Sequence, residues 1–548
     1  MKVRWNFWKT VTVIIFALFA VFLVAPLLSL FVSAFKDADT GTWTIANFAS
    51  FFTKKYYYRT LFRSLAVSSC VTLAAVALGA PVAYFMACYN IRAKRFVQIL
   101  IIISMLSPSF IGAYSWVLLL GRSGVVTQFF ASLGITTPSI YGFFGIVLVL
   151  ALKLYPFIFM YVSGAMKKLD PSLLEASQSL GCGPARNVAC MVIPLILPTV
   201  LAGSLLVFMS SLADFGTPML IGEGFRVMPV LVYREFMGEM GGNANFAAAI
   251  AVVMVSVTTS IYLTQRWIVN RLSFKSRSVR RIIPKDIGSG AKSLLIHGWI
   301  YLVAFLGILP QATVVYTSFL KTNGPTFVRG FSLDSYRAIF SDMGASIINT
   351  YCYGGLGICG IVVLAFLMAY LSVRRRNALT SLLDLCSIFP YVISGSVLGI
   401  MLLMAFNKPP LALSGTAAII VISFIIRRLP HTLRSSVAIL HQISKSSEEA
   451  AVSLGASPLR SFLDVTARLM LPGVMTGATL SWVAVINELS ASIILYTGAT
   501  KTMSVAIYSE VQSASYGTAA ALATVLTGTT VLTLLILFSL SGKREVSF

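Results

Sequence analysis

An all-α integral membrane protein of two homologous six-span halves is the fold class this sequence predicts, and three observations predict it. Hydrophobic residues make up 57% and charged residues 11% of the chain, with a mean hydropathy of +0.87. That leaves too little polar surface to cover a globule of 548 residues. Twelve apolar runs are each read as a helix crossing the bilayer. Finally, a segment beginning at Glu175 recurs at Glu449, at a constant offset of 274, with 13 identities in the 32 positions 175–206. Composition alone would give about two.

The predicted spans cover 11–35, 61–90, 97–120, 141–166, 193–221 and 246–267, then 294–319, 345–373, 379–406, 411–426, 471–497 and 517–541. The tenth is short, so its end is expected further on. None of the runs alternates as a membrane strand would. The first follows Lys2, Arg4 and Lys9, but it is too long for a signal peptide and lacks a small-residue cleavage site, so it reads as a retained span. Basic residues gather at Arg92, Lys94 and Arg95, at Lys167 and Lys168, at Arg374, Arg375 and Arg376, and at Lys543 and Arg544. By the positive-inside rule, both termini and both copies of the repeat face the cytosol. The segment 36–60, with Lys54, Lys55 and Arg59, departs from that asymmetry.

Between Arg266 and Lys285 lie seven basic and no acidic residues, which marks a cytosolic linker. The expected domains are a first half 1–267 with its loop at 167–192, a basic linker 268–293, and a second half 294–548 with its loop at 428–470. An even number of spans per half gives both the same orientation, with the pseudo-two-fold axis along the membrane normal. A net charge of +24 would suggest nucleic acid in a soluble protein. Here the basic residues read as topology markers beside anionic lipid, and no nucleic-acid partner is expected. Seven cysteines show no CxxC pair or framework spacing, so neither disulfides nor a metal site is implied.

Within the first copy of the repeat, Asp170 and Pro171 form an N-cap and N1 pair, and Gly181 with Pro184 supplies the stop. In the second, Ser444 takes the Asp170 position, with Gly455 and Pro458 as the stop. Each copy thus encodes a capped helix of about ten residues, marginal by itself. Ala176, Ala450 and Ala451 are small enough for close approach, and Glu175 and Glu449 place charge near the helix start. Such a helix suits a groove on another protein.

Glu449, Ala450, Ala451, Gly455 and the following Leu471-Pro472 resemble the signature loop of ABC importer membrane subunits of the type I, binding-protein-dependent class. The first copy, Glu175, Ala176, Ser177 and Gly181 with Leu197-Pro198, departs only in Ser177. The fused twelve-span layout resembles ferric-iron transport system permeases. That resemblance implies a coupling helix in each loop, two copies of a cytosolic ATPase that carries ATP and Mg, and an extracytoplasmic substrate-binding protein. It also implies a bacterial cytoplasmic membrane location and alternating access driven by ATPase closure. This chain is expected to bind no cofactor of its own.

The offset of 274 also aligns Lys153 with Arg427 and Asp214 with Glu488. Ionisable residues inside spans are costly and face a cavity or one another. The acidic pair, about 24 Å beyond the prolines, reads as lying towards the outer side. It either flanks the axis as a gate or consists of helix-end carboxylates bonded to nearby backbone, and the second reading is favoured. Lys153 and Arg427 read as lying near the inner side, as snorkelling or pathway cations. Outer loops after each fifth span carry Tyr233 and Tyr508 at equivalent places, where the family docks its binding protein and gates.

No GxxxxGK[ST] motif, HExxH or nucleophile elbow occurs, so no enzyme activity is expected. The rival class is an ion-coupled secondary transporter, which needs no repeated docking helix. Ferric iron is the expected substrate. The alternatives are 2-aminoethylphosphonate, thiamine and polyamine.

Overall fold

The computed structural model describes residues 7–106, 108–122, 124–238, 242–272, 283–288, 290–387 and 389–540. The middle of the expected linker, 273–282, lies outside the described residues. The first half contains α1 (Phe7–Ala34), α2 (Lys55–Cys88), α3 (Lys94–Leu106), α4 (Ser109–Leu120), α5 (Phe143–Lys168), α6 (Pro171–Ser179), α7 (Pro184–Leu212), α8 (Met228–Met237) and α9 (Ala244–Leu272). After it come α10 (Ala291–Ser318), a hairpin of β1 (Leu320–Asn323) and β2 (Thr326–Phe331), α11 (Gly344–Arg374), α12 (Ala378–Cys386), α13 (Gly395–Ala405) and α14 (Ala417–Gln442). The chain closes with α15 (Ser446–Ser453), α16 (Pro458–Ile486), α17 (Met503–Gln512) and α18 (Tyr516–Leu540).

Ten helices among the described residues are long and apolar enough to cross a membrane, where twelve spans were expected. The expected ninth span is broken into α12, a short turn at Phe389–Val392 and α13. Polar caps explain the breaks: Asn377 and Thr380 form a capping box at α12, and Ser394 Oγ accepts from Val397 N at α13. The expected tenth span is the 26-residue α14, whose apolar run ends early because Arg427, Arg428 and Arg434 follow on the same helix.

The chain forms two compact units that interleave the sequence halves. One comprises 1–51, 232–253 and 317–548; the other comprises 52–231 and 254–316. The centre of the second unit is a trio of α2, α5 and α7, and the centre of the first is α11, α14 and α16. These trios are the same three elements in each half. Gly203 and Gly477, identical under the repeat, explain one seam of each. A Cβ on Gly203 would stand 3.2 Å from Tyr161 Cβ, and one on Gly477 only 2.7 Å from Thr432 Cα. Small residues let membrane helices approach where larger ones would hold them apart.

Two segments expected as outer loops are helical, α8 and α17. Their apolar runs after Met228 and Met503 favour helix, and each start is fixed by a span hydroxyl. Ser64 Oγ accepts from Met228 N, and Thr350 Oγ1 accepts from Met503 N, both at 2.7 Å. The β1–β2 hairpin was not foreseen. It turns at Gly324, whose φ of +58° lies in the left-handed region that glycine enters without strain.

Candidate coupling loops and intramembrane charge pairs

The first loop is built as its sequence dictates. Asp170 accepts from Ser172 N at 3.0 Å and caps α6. The helix ends where Gly181 takes φ +84°. Gly181 N donates to Gln178 O at 3.0 Å and Cys182 N to Ser177 O at 3.1 Å, the two bonds of a Schellman stop. Glu175 and Ala176 are exposed and Ser177 is buried. The helix is held from behind by Leu174, packed against the apolar core, and by Asn187 Nδ2, which donates to Leu174 O at 3.2 Å.

In the second loop the same stop recurs: Gly455, φ +87°, donates to Val452 O at 2.9 Å, and Ala456 N to Ala451 O at 3.1 Å. Its helix starts at Ser446 rather than just after Ser444. Even so, Ser444 Oγ accepts from Ser446 N at 3.2 Å, because a hydroxyl can close the first turn without occupying the formal cap. Glu449 and Ala450 are exposed and Ala451 is half-buried. At the end of each helix stands an unshielded leucine, Leu180 at 87% and Leu454 at 90% exposure. Near the start of each following span lies one π-helical turn, Val188–Val192 in α7 and Phe462–Thr466 in α16. These turns coincide under the repeat although no residue in them is identical.

Lys153 and Asp214, read from the sequence at opposite depths, meet. Lys153 Nζ is 3.9 Å from Asp214 Oδ2. The error has a physical source: Pro156 lies inside α5 without ending it, so it does not mark the inner boundary, and Lys153 sits about 15 Å along from the helix start. Arg427 and Glu488 repeat the pairing, with Nη1 2.5 Å from Oε1, and Arg428 adds a second guanidinium on Oε2. Each carboxylate also accepts from backbone three residues on, Asp214 from Thr217 N at 2.9 Å and Glu488 from Ala491 N at 3.2 Å. The side chains are deep, Glu488 at 1% and Asp214 at 8% exposure. Gly395 makes room for the second cluster, since a Cβ there would fall 1.5 Å from Arg427 Nη1.

Tyr233 on α8 and Tyr508 on α17 are brought within electrostatic reach of each other and of Tyr496. Burial first, with Tyr233 and Tyr496 adding to it, pushes the Tyr508 hydroxyl up to about 12, and Gln512 Nε2 donates to it at 2.9 Å. Among the described residues no group of three or more His, Cys, Asp and Glu side chains is placed to hold a metal ion.

A family described as binding-protein-dependent transport system inner membrane component matches residues 75–274 and again 361–544. The chain belongs to this family. Both matched segments contain one copy of the repeated loop, one charge pair and one of the two tyrosines. The ferric transport system permease protein FbpB of Actinobacillus pleuropneumoniae is 29% identical over 92% of this chain and 74% of its own length. A putative ferric transport system permease protein FbpB 1 of Haemophilus influenzae is 29% identical over 88% of this chain and 76% of its own. The spermidine/putrescine transport system permease protein PotB of H. influenzae is 26% identical over 50% of this chain and 98% of its own length.

This permease carries a residue in its second repeated loop that sequence reasoning missed. Glu448, next to the motif residue Glu449, turns inward and accepts from Tyr370 OH, with Arg374 Nε 3.8 Å from its other oxygen. The repeat could not flag it, because Leu174 occupies the matching position.

Proposed function

We propose that this chain forms the translocation pathway of an ATP-driven bacterial importer for ferric iron delivered by an extracytoplasmic binding protein. Two copies of a cytosolic ATPase bind α6 and α15, and ATP and Mg sit on those subunits, not on this one. The termini and both loops face the cytosol. The chain divides into permease halves at 1–267 and 294–548, joined by the linker 268–293. Closure of the ATPase dimer pushes on both helices, the halves open outward to accept substrate, and hydrolysis resets them. Asp214 and Glu488 with their cations, and Tyr233 with Tyr508, belong to the pathway or its gate.

The observation that carries this reading is the pair of Schellman-stopped helices, each ending in a nearly bare leucine beside an exposed Glu-Ala. A short polar helix that presents small residues and one bare leucine suits a partner's groove. The iron assignment is supported by the similarity to the two ferric permeases. A polyamine substrate is the second reading, favoured by the similarity to the spermidine/putrescine permease. The deciding experiment reconstitutes the chain with the ATPase and binding protein encoded beside it, then measures ATP-dependent uptake of Fe(III) with spermidine as competitor. Glu175→Arg with Glu449→Arg should abolish assembly or uptake while membrane insertion stays normal, and normal uptake by that variant would overturn the docking role.

A further inference from the structure

We infer that Glu448, Tyr370, Arg374 and Trp8 form an internal brace that fixes the second coupling helix against α11 and α1, and that the matching positions of the first half, with Leu174 and Cys88, cannot form it. The inference rests on reading α15 as a coupling helix. Four contacts converge on this glutamate. Tyr370 OH donates to Oε1, Arg374 Nε lies 3.8 Å and Thr466 Oγ1 3.5 Å from Oε2, and Ser461 Oγ donates to the backbone oxygen at 3.2 Å. Arg374 Nη2 also donates to Ile443 O at 2.7 Å, just before the helix. The start of α15 and its first turn are therefore both tied to the end of α11.

Aromatic packing seals the polar contacts from the side. The Trp8 ring is 4.4 Å from that of Tyr370 and 5.2 Å from that of Phe462, and Tyr370 and Phe462 are 4.8 Å apart. Trp8 is 3% exposed and Tyr370 fully buried. This cluster joins α1, α11 and the π-helical turn that follows α15. A buried bond to a charged group is stronger and more directional than apolar contact, so displacement of α15 must move α11 and α1 with it. Neighbouring Glu449 points the other way, its side chain 62% exposed beside Lys445. One glutamate faces outward and the next holds the helix in place.

The first half is built differently. Leu174 stands at the position of Glu448, and in the register that aligns Tyr84 with Tyr370, Cys88 stands at that of Arg374. Its helix α6 is backed by apolar packing and by a bond from Asn187. Displacement of α6 is thus passed on at this position through the apolar packing of Leu174, whereas α15 has a charged route as well. Glu448, Tyr370 and Arg374 are positioning residues for coupling.

The test uses the full chain assembled with its ATPase and binding protein in liposomes, reading ATP hydrolysed per substrate imported. Tyr370→Phe should raise that ratio roughly tenfold or more, the worth of one bond to a charged group, while the ATPase still copurifies. Glu448→Gln should raise it less, and Tyr84→Phe should leave it unchanged. An unchanged ratio in an assembled Tyr370→Phe complex, or equal shifts for Tyr370→Phe and Tyr84→Phe, would overturn the brace. A spin label at Val452, 48% exposed on α15, gives a reading independent of the ATPase. Tyr370→Phe should loosen its spectrum, and an unaltered spectrum also overturns the brace. Failure of the wild-type chain to bind any ATPase would sink the coupling reading instead and leave the label to decide the brace.

Discussion

The two halves use one geometry and two chemistries. Each has a three-helix centre, a Schellman-stopped surface helix, a π-helical turn at the same register and a deep carboxylate that caps backbone and meets a cation. The first half fills these places with weaker or neutral groups: one lysine at 3.9 Å, and Leu174 behind α6. The second fills them with guanidinium pairs on Glu488 and Glu448. Backbone placement is therefore shared, while the strength of the ties to it is tuned half by half.

The largest expected effect breaks that contrast at the intramembrane charges. Glu488→Leu strands two guanidiniums, and removing one partner of a buried ion pair costs about 3–5 kcal/mol. Asp214→Leu takes one carboxylate from a lysine that is 23% exposed and whose flexible stem can carry its charge towards water, so the loss should be smaller. Thermal unfolding of both variants in detergent checks this, and equal losses would show that the second guanidinium adds nothing. Next in size are the glycine seams. Gly477→Ala presses on backbone at 2.7 Å and should cost about 1–3 kcal/mol, whereas at Gly203 the nearest atom is 3.2 Å away, so the same change should cost less; the same melts rank them.

Ser64→Ala and Thr350→Val should act alike, each orphaning a buried backbone N–H at a loss of about 1–3 kcal/mol. A clear difference between them, by hydrogen exchange at Met228 and Met503, would mean that even this shared bond has diverged. Smallest is the capping of the surface helices. Asp170→Ala should weaken α6 by about 1 kcal/mol, and Ser444→Ala should weaken α15 less, since its hydroxyl sits at 3.2 Å. Protease nicking rates within 171–179 and 446–453 would order the two.

Much of this was legible in the residues, because apolar runs, N-caps and glycine stops are local signals. The helix at Pro171–Ser179 and both left-handed glycines follow directly from Asp170, Pro171, Gly181 and Gly455. What escaped depends on distance in sequence. Arg427 and Glu488 aligned with Lys153 and Asp214, yet nothing within either 61-residue interval announces that the two ends touch. Depth counted from Pro156 misplaced the lysine, since a proline within a long membrane helix need not end it. Glu448 escaped for the opposite reason: a repeat draws attention to what its copies share, and the brace is what one copy alone possesses. The π-helical turns share a position and no residue, so only the backbone reveals them.

Leu180 and Leu454 also bear on manufacture. Exposed at 87% and 90%, they add little to the stability of the isolated chain, so polar replacements there should ease its preparation in detergent without lowering its melting temperature.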